Sequence, residues 1–240
     1  MPRMGPQART EQRREQRQAL RERILEVSRE IVKREGFASL SMRKLAEAID
    51  YSPAALYLHF KSRGEIARAL RVEGHASLRD VFLAQTTIAD PAARLNAMGR
   101  AYVEFGLAEP ETYRLMFMEP AGFADASAHG ADHADRTDRA DHAAECGAAT
   151  LSLIADAFVE LRAADRLPPH AAPAACAEGL WANLHGIVAL KLNGAPLPQT
   201  PAATLVELSL DAWFAQAKGT EPRGTEPRIH SANRPDTSTR

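Results

Sequence analysis

The chain of 240 residues has only two cysteines, Cys146 and Cys176, with no paired spacing. A disulfide framework and a CxxC zinc site are excluded, and a chain kept in a reducing cytosol is the plain expectation. No apolar run approaches the roughly 20 residues needed to cross a bilayer, and the arginine-rich start lacks the apolar core of a signal peptide. A cytoplasmic protein with no membrane contact is therefore expected. β-Branched residues are scattered and period-two alternation is missing, which leaves little room for strands. There is no phosphate-cradling glycine loop, no nucleophile–base pair at recognisable spacing and no zinc signature. Neither an enzyme nor a cofactor is expected.

What remains is helix, with charge unevenly placed. The formal charge is −1, yet residues 1–72 hold sixteen Lys and Arg against nine Asp and Glu, and residues 73–240 hold fourteen against twenty-two. A basic end on an acidic body suits nucleic-acid binding, because Lys and Arg release condensed counterions while negative charge stays away from the duplex.

The stretch from Leu40 to Ile66 organises the rest. Ser41 can cap a helix whose apolar face is Leu45, Ala46 and Ile49, and Asp50 stands where the chain must turn. Ser52-Pro53 starts a second helix, with proline where its missing N–H is harmless. Leu56 and Phe60 face inward, leaving Ala54, Ala55, Tyr57, Leu58 and His59 around the remaining surface. Ser62-Arg63-Gly64-Glu65 has the form of a capping box and opens a third helix. Helix, short turn and helix make a DNA-reading unit whose second helix enters the major groove.

Within it, Arg43, Tyr57 and Lys61 can donate to phosphates, and the helix start at Ser52 and Pro53 offers free backbone N–H groups to another. Ala54, Ala55 and Leu58 suit thymine methyls, with Met42 and Arg43 as further candidate readers. His59 either donates to a phosphate or braces the turn.

Ser41-Met42-Arg43-x-Leu45-Ala46, Ser52-Pro53 and Leu56-Tyr57-x-His59-Phe60-x-Ser62-Arg63 together resemble the N-terminal signature of the tetracycline-repressor-type (TetR) transcriptional regulators. Ile49-Asp50-Tyr51 departs from the Ala-Gly-Val-like turn usual there, and Gly64 from a better helix former. The resemblance implies an all-α chain: an N-terminal three-helix DNA-binding domain, residues 19–66, and a C-terminal helical bundle, residues 67–217, for ligand binding and dimerisation.

Residues 1–18 read as a disordered basic arm that could reach along DNA, and residues 218–240, with Gly-Thr-Glu-Pro-Arg twice, as a disordered tail. The first helix starts near Leu20 and stops at Gly36. Residues 121–145 shift to Ala, Asp and His and read as a flexible loop. Its His129, Asp132, His133, Asp135, Asp138, Asp141 and His142 carry the alternative reading, a helical metal-binding protein or enzyme.

Tyr102, Phe105, Tyr113, Met116, Phe117, Phe158, Trp181 and His185 stand on separate helical segments and could converge on a cavity for a small, largely apolar effector. Leu180-Trp181-x-x-Leu184-His185-Gly186 and Tyr113-Arg114-Leu115-Met116-Phe117 are also similar to a TetR subgroup with a Trp-His-Gly pattern. The last two helices, apolar over most of their circumference, are expected to pair with a second copy through Leu184, Val188, Leu192, Leu205, Leu208 and Trp213. The resulting expectation is a dimeric regulator, most simply a repressor, that holds a palindromic operator in double-stranded DNA and is released by an effector.

Overall fold

The computed structural model describes residues 6–119, 133–168, 170–194 and 198–218. Among these the chain is helical with no strand. The helices are α1 (Pro6–Glu35), α2 (Met42–Ile49), α3 (Pro53–Tyr57), α4 (Arg63–Leu83), α5 (Pro91–Ala108), α6 (Pro110–Phe117), α7 (His133–Ala163), α8 (Pro173–Leu192) and α9 (Ala202–Lys218), with a 3-10 turn at Phe37–Ser39.

Side-chain caps fix four of the helix starts. The side chains of Ser41, Ser52, Ser62 and Asp90 accept from the backbone N–H of Lys44, Ala55, Glu65 and Ala93 at 3.1, 3.2, 3.2 and 2.8 Å. Each satisfies a donor that the first helical turn leaves without an intrahelical partner. Glu65 completes its box by accepting from the Lys61 N–H at 2.6 Å. Four described turns have positive φ, two of them in the head. Gly36 (φ 77°) closes α1, and Asp50 (φ 59°) closes α2.

Two expectations about irregular chain are corrected. Residues 6–18 of the supposed arm are helical and continue α1, because Gln, Arg, Glu and Ala are all good helix formers and Pro6 sits at its first position. Likewise α7 begins at His133, inside the supposed loop of 121–145, where the alanine-rich sequence favours helix. Residues 1–5, 120–132 and 219–240, with the rest of that loop and the tail, lie outside the described residues.

The chain builds two hydrophobic cores. The head core gathers Ile24, Ile31, Val32, Phe37, Leu40, Leu45, Leu56, Phe60, Ile66 and Leu70 from α1 to α4. The body core gathers Leu78, Phe82, Leu95, Tyr102, Tyr113, Phe158, Leu184 and Val188 from α4 to α9. One short helix serves both: Leu115 of α6 is buried in the head core, while Tyr113 and Met116 belong to the body core. Close approach of α4 to α6 explains Gly74, where an added Cβ would lie 2.6 Å from Met116 Sδ.

Candidate functional site

In the head, α2 and α3 meet at the left-handed Asp50, and Leu56 and Phe60 are fully buried beneath them. The opposite side of α3 is open: Ala54 is exposed, Ala55 is half-buried, Tyr57 is 52% exposed and Leu58 73%. An exposed leucine and tyrosine beside small residues form a thin apolar ridge of the kind that can approach base edges.

Arg43 is exposed and pairs with Glu47 at 2.9 Å, a surface pair weak enough to exchange for a phosphate. Lys61 is also exposed. Ser52 and Pro53 are exposed at the start of α3. Of the backbone N–H groups at that helix start, the Ala55 N–H is already held by the Ser52 side chain.

Met42 is corrected. It is 9% exposed and joins the head core, so it faces inward rather than toward DNA. His59 is half-buried, and burial, followed by the charges of Arg17 and Arg21, holds its pKa below the ordinary histidine value.

Those two arginines went unnoticed in the sequence. Arg17 donates to the Leu58 carbonyl at 3.2 Å, and Arg21 donates to the His59 carbonyl at 2.9 Å with its guanidinium 4.1 Å from the Phe60 ring centroid. They satisfy carbonyls that the five-residue α3 leaves open at its C-terminal end. Their spacing of four residues was the available signal.

In the body, Tyr102 of α5, Tyr113 of α6 and His185 of α8 form a hydrogen-bonded row. The Tyr102 and Tyr113 hydroxyls are 2.9 Å apart, and the Tyr113 hydroxyl is 2.7 Å from His185 Nδ1. Burial raises both tyrosine pKa values, Tyr113 to about 12, and lowers that of His185. The distances fit donation in either sense along the row, and in one of them Tyr102 donates to Tyr113 and Tyr113 to a neutral imidazole at Nδ1. In that sense His185 Nε2 carries the imidazole proton.

Rings surround this row. His185 stacks between Tyr113 and Trp181, with centroids 5.8 and 5.6 Å away, and Phe117 meets Trp181 and His185 edge-on at 6.2 and 5.7 Å. Tyr102, Tyr113, Phe117, Trp181 and His185 are thus brought together from three helices, α5, α6 and α8. Met116 and Phe158 are buried in the same core. Phe105 instead lines a cleft of about 610 Å³ between α1, α4, α5 and α6, with Arg29, Glu73 and Leu115.

Two residues of α4 escaped the sequence reading. His75 lies edge-on to Phe117 at 5.3 Å, and its buried Nδ1 has no hydrogen-bond partner. Burial, then the charge of Arg71, lowers its pKa. Arg71, buried, donates to the carbonyls of Leu115 at 2.7 Å and Glu119 at 3.2 Å, pinning the C-terminal end of α6.

Leu184 and Val188, expected at a dimer interface, are fully buried within the subunit, because α5, α7 and α9 already enclose that side of α8. Leu192 and Leu205 are half-buried against the body core, Leu208 is 59% exposed, and the Trp213 side chain lies outside the described residues. Among the described residues no cluster of His, Cys, Asp and Glu could hold a metal, and no helix is long and apolar enough to cross a membrane. The His129 and Asp132 positions and the side chains from His133 to His142 lie outside them.

Residues 24–70 match the family model described as bacterial regulatory proteins, tetR family, and residues 95–213 match a tetracyclin repressor-like C-terminal domain. No curated protein shows a significant match. A solved protein of unknown function from Rhodococcus sp. RHA1 is 27% identical, with 82% of this chain and 94% of that one covered and a TM-score of 0.65. A tetR-family regulatory protein from Rhodococcus RHA1 is 20% identical, covering 80% and 96%, with a TM-score of 0.60. AibR, solved with isovaleryl coenzyme A and operator DNA, is 18% identical over 81% and 97%, with a TM-score of 0.55. The two family models between them span most of the chain, and the protein belongs to the TetR family of transcriptional regulators, with a helix-turn-helix DNA-binding domain followed by a TetR-type helical domain.

Proposed function

We propose that the protein is a homodimeric repressor that grips a palindromic operator with two copies of α3 and releases it when a small, largely apolar effector binds the body. The observation that carries this is the contrast on α3: Leu56 and Phe60 are fully buried, while Ala54, Tyr57 and Leu58 stand exposed on the other side. Arg43 and Lys61 would set the register on phosphates, and Ala54, Ala55 and Leu58 would touch base edges. Selection of bound sequences from a random DNA pool with the purified chain is the test. A palindrome is expected; a pool with no enriched sequence would reject the reading.

The aromatic cluster supports the effector half. Tyr102, Tyr113, Phe117, Trp181 and His185 offer ring faces and one directed polar group, which suits a ligand that is mostly apolar with a single acceptor. Trp181 and His185 are also the residues that carry the likeness to the Trp-His-Gly subgroup. AibR, in a complex with both an acyl coenzyme A and operator DNA, is a similar chain of the ligand-answering kind.

Release needs an effector with different affinity for the two spacings of the heads. The α6 helix supplies a path, since Leu115 sits in the head core and Tyr113 in the ring cluster. The second copy would cover the outer sides of α8 and α9, where Leu190 and Leu208 are exposed. Light scattering at micromolar concentration should return twice the 26.2 kDa chain mass; a monomer would remove the dimer. A cytoplasmic location follows from this role.

A further inference from the structure

The N-terminal turns of α1 are exposed on every described side chain from Arg9 to Ala19, and nothing apolar there asks for a protein partner. Their charge is nevertheless sorted. At about 100° per residue, Arg13, Arg14, Arg17 and Arg21 fall within an arc of roughly 100°, and Glu11, Glu15 and Glu22 cluster on another side of the helix.

The inner half of that arc is already placed by its hydrogen bonds. Arg17 and Arg21 donate to the Leu58 and His59 carbonyls, so the arc faces the C-terminal end of α3. A helix lying in the major groove, about 12 Å wide, has a sugar–phosphate wall beyond its ends. An element docked at the end of α3 therefore continues toward phosphates. Arg13 and Arg14 lie about 12 Å farther out along α1 than Arg21, at about 1.5 Å per residue, and both are exposed.

We infer that these turns of α1 are a second DNA-contacting surface, on which Arg13 and Arg14 bind backbone phosphates flanking each half-site while Arg17 and Arg21 serve as positioning residues for α3. The inference rests on the operator-binding reading above and adds to it a contact outside the helix-turn-helix unit. Because the segment is helical in the free chain, little ordering entropy opposes the contact. The glutamates on the other side keep the chain's own negative charge away from the duplex.

The test uses the full chain on its selected DNA, with affinity measured at several salt concentrations for the parent and for R13Q/R14Q. Glutamine keeps helix propensity close to that of arginine, so circular dichroism should not change. The double variant is expected to flatten the slope of log affinity against log salt by about 0.9 for each phosphate that is no longer neutralised. Its affinity should approach the parent's as salt rises, with the preferred sequence unchanged.

R23Q is the matched control, since Arg23 is tied to Glu26 at 2.6 Å outside the arc; its slope should equal the parent's. R21Q should weaken binding and relax the sequence preference without changing the slope. Hydroxyl-radical footprinting of the parent should show protected sugars beyond the half-site, missing in R13Q/R14Q. An unchanged slope in R13Q/R14Q, an equal flattening in R23Q, or a parent footprint confined to the half-site would each overturn the inference. A parent that binds no DNA at any salt would reject the regulator reading itself, and this surface with it.

Discussion

In the head, the side chains with a candidate role, Met42 apart, point outward from a core of aliphatics with Phe37 and Phe60. In the body they point inward, and the Tyr102 and Tyr113 hydroxyls and His185 Nδ1 are satisfied by one another. An outward site can be replaced residue by residue with little effect on folding, because water takes up whatever is removed. An inward one cannot, since each missing partner strands a buried polar atom. The two regions should therefore separate function from stability in opposite ways.

The sharpest break would come from Phe60→Ala, which empties a fully buried site in the head core and removes the ring beneath Arg21. A loss of about 3–5 kcal/mol is expected, with DNA binding abolished. Urea unfolding should show an early transition for the head, while the near-ultraviolet signal of Trp181 persists to higher denaturant. A single coincident transition would mean that Leu115 of α6 ties the two cores into one cooperative unit.

Next in size is Tyr113→Phe, which leaves the Tyr102 hydroxyl and His185 Nδ1 without their shared partner. It should destabilise the chain by about 1–3 kcal/mol yet leave effector-free operator affinity as it was. A matching loss of DNA affinity would show that the row reports directly to the head.

Acid should act more gently. His59, His75 and His185 all have pKa values lowered from 6.5 by burial, so the unfolded chain binds protons that the folded chain refuses. Stability should be full above about pH 7 and decline as pH falls through 6.5 toward the lower folded values. Denaturant titrations across that range check it, and H185Q should shallow the decline.

Arg43→Ala and Lys61→Ala are the mildest, with stability changes within about 0.5 kcal/mol. Each should nonetheless flatten the salt dependence of DNA binding by about 0.9 for the phosphate it leaves unneutralised. Unchanged slopes would remove both residues from the phosphate set.

The starts in the reading unit were legible because a cap is a local event: Ser41, Ser52 and Ser62 each bond an N–H three residues on. The two turn residues Gly36 and Asp50 were legible for the same reason. Met42 was misplaced because an apolar residue in the first helical turn can face the core as well as the duplex, and packing decides which. Residues 6–18 looked structureless because they lack apolar residues, although their helix propensity is high. Arg17 and Arg21 were missed since their partners are carbonyls 41 and 38 residues away, and a carbonyl leaves no mark in the sequence.

The ring cluster was gathered from residue type and likeness, but its order was not readable. Nothing in the chain says that Tyr113 should meet His185, 72 residues on, or that Phe105 should line a different cleft. His75 and Arg71 were silent for the same cause.

By itself the sequence determined the all-helical class, the caps and turns of the reading unit, and the basic head on an acidic body. These follow from interactions spanning a few residues, or from composition. Tertiary structure alone decided that Leu184 and Val188 lie inside the subunit and that α6 shares itself between two cores. It also decided that arginines of α1 hold the end of α3. Such arrangements depend on how helices pack across long separations, where many side chains of the same type compete and only shape selects among them.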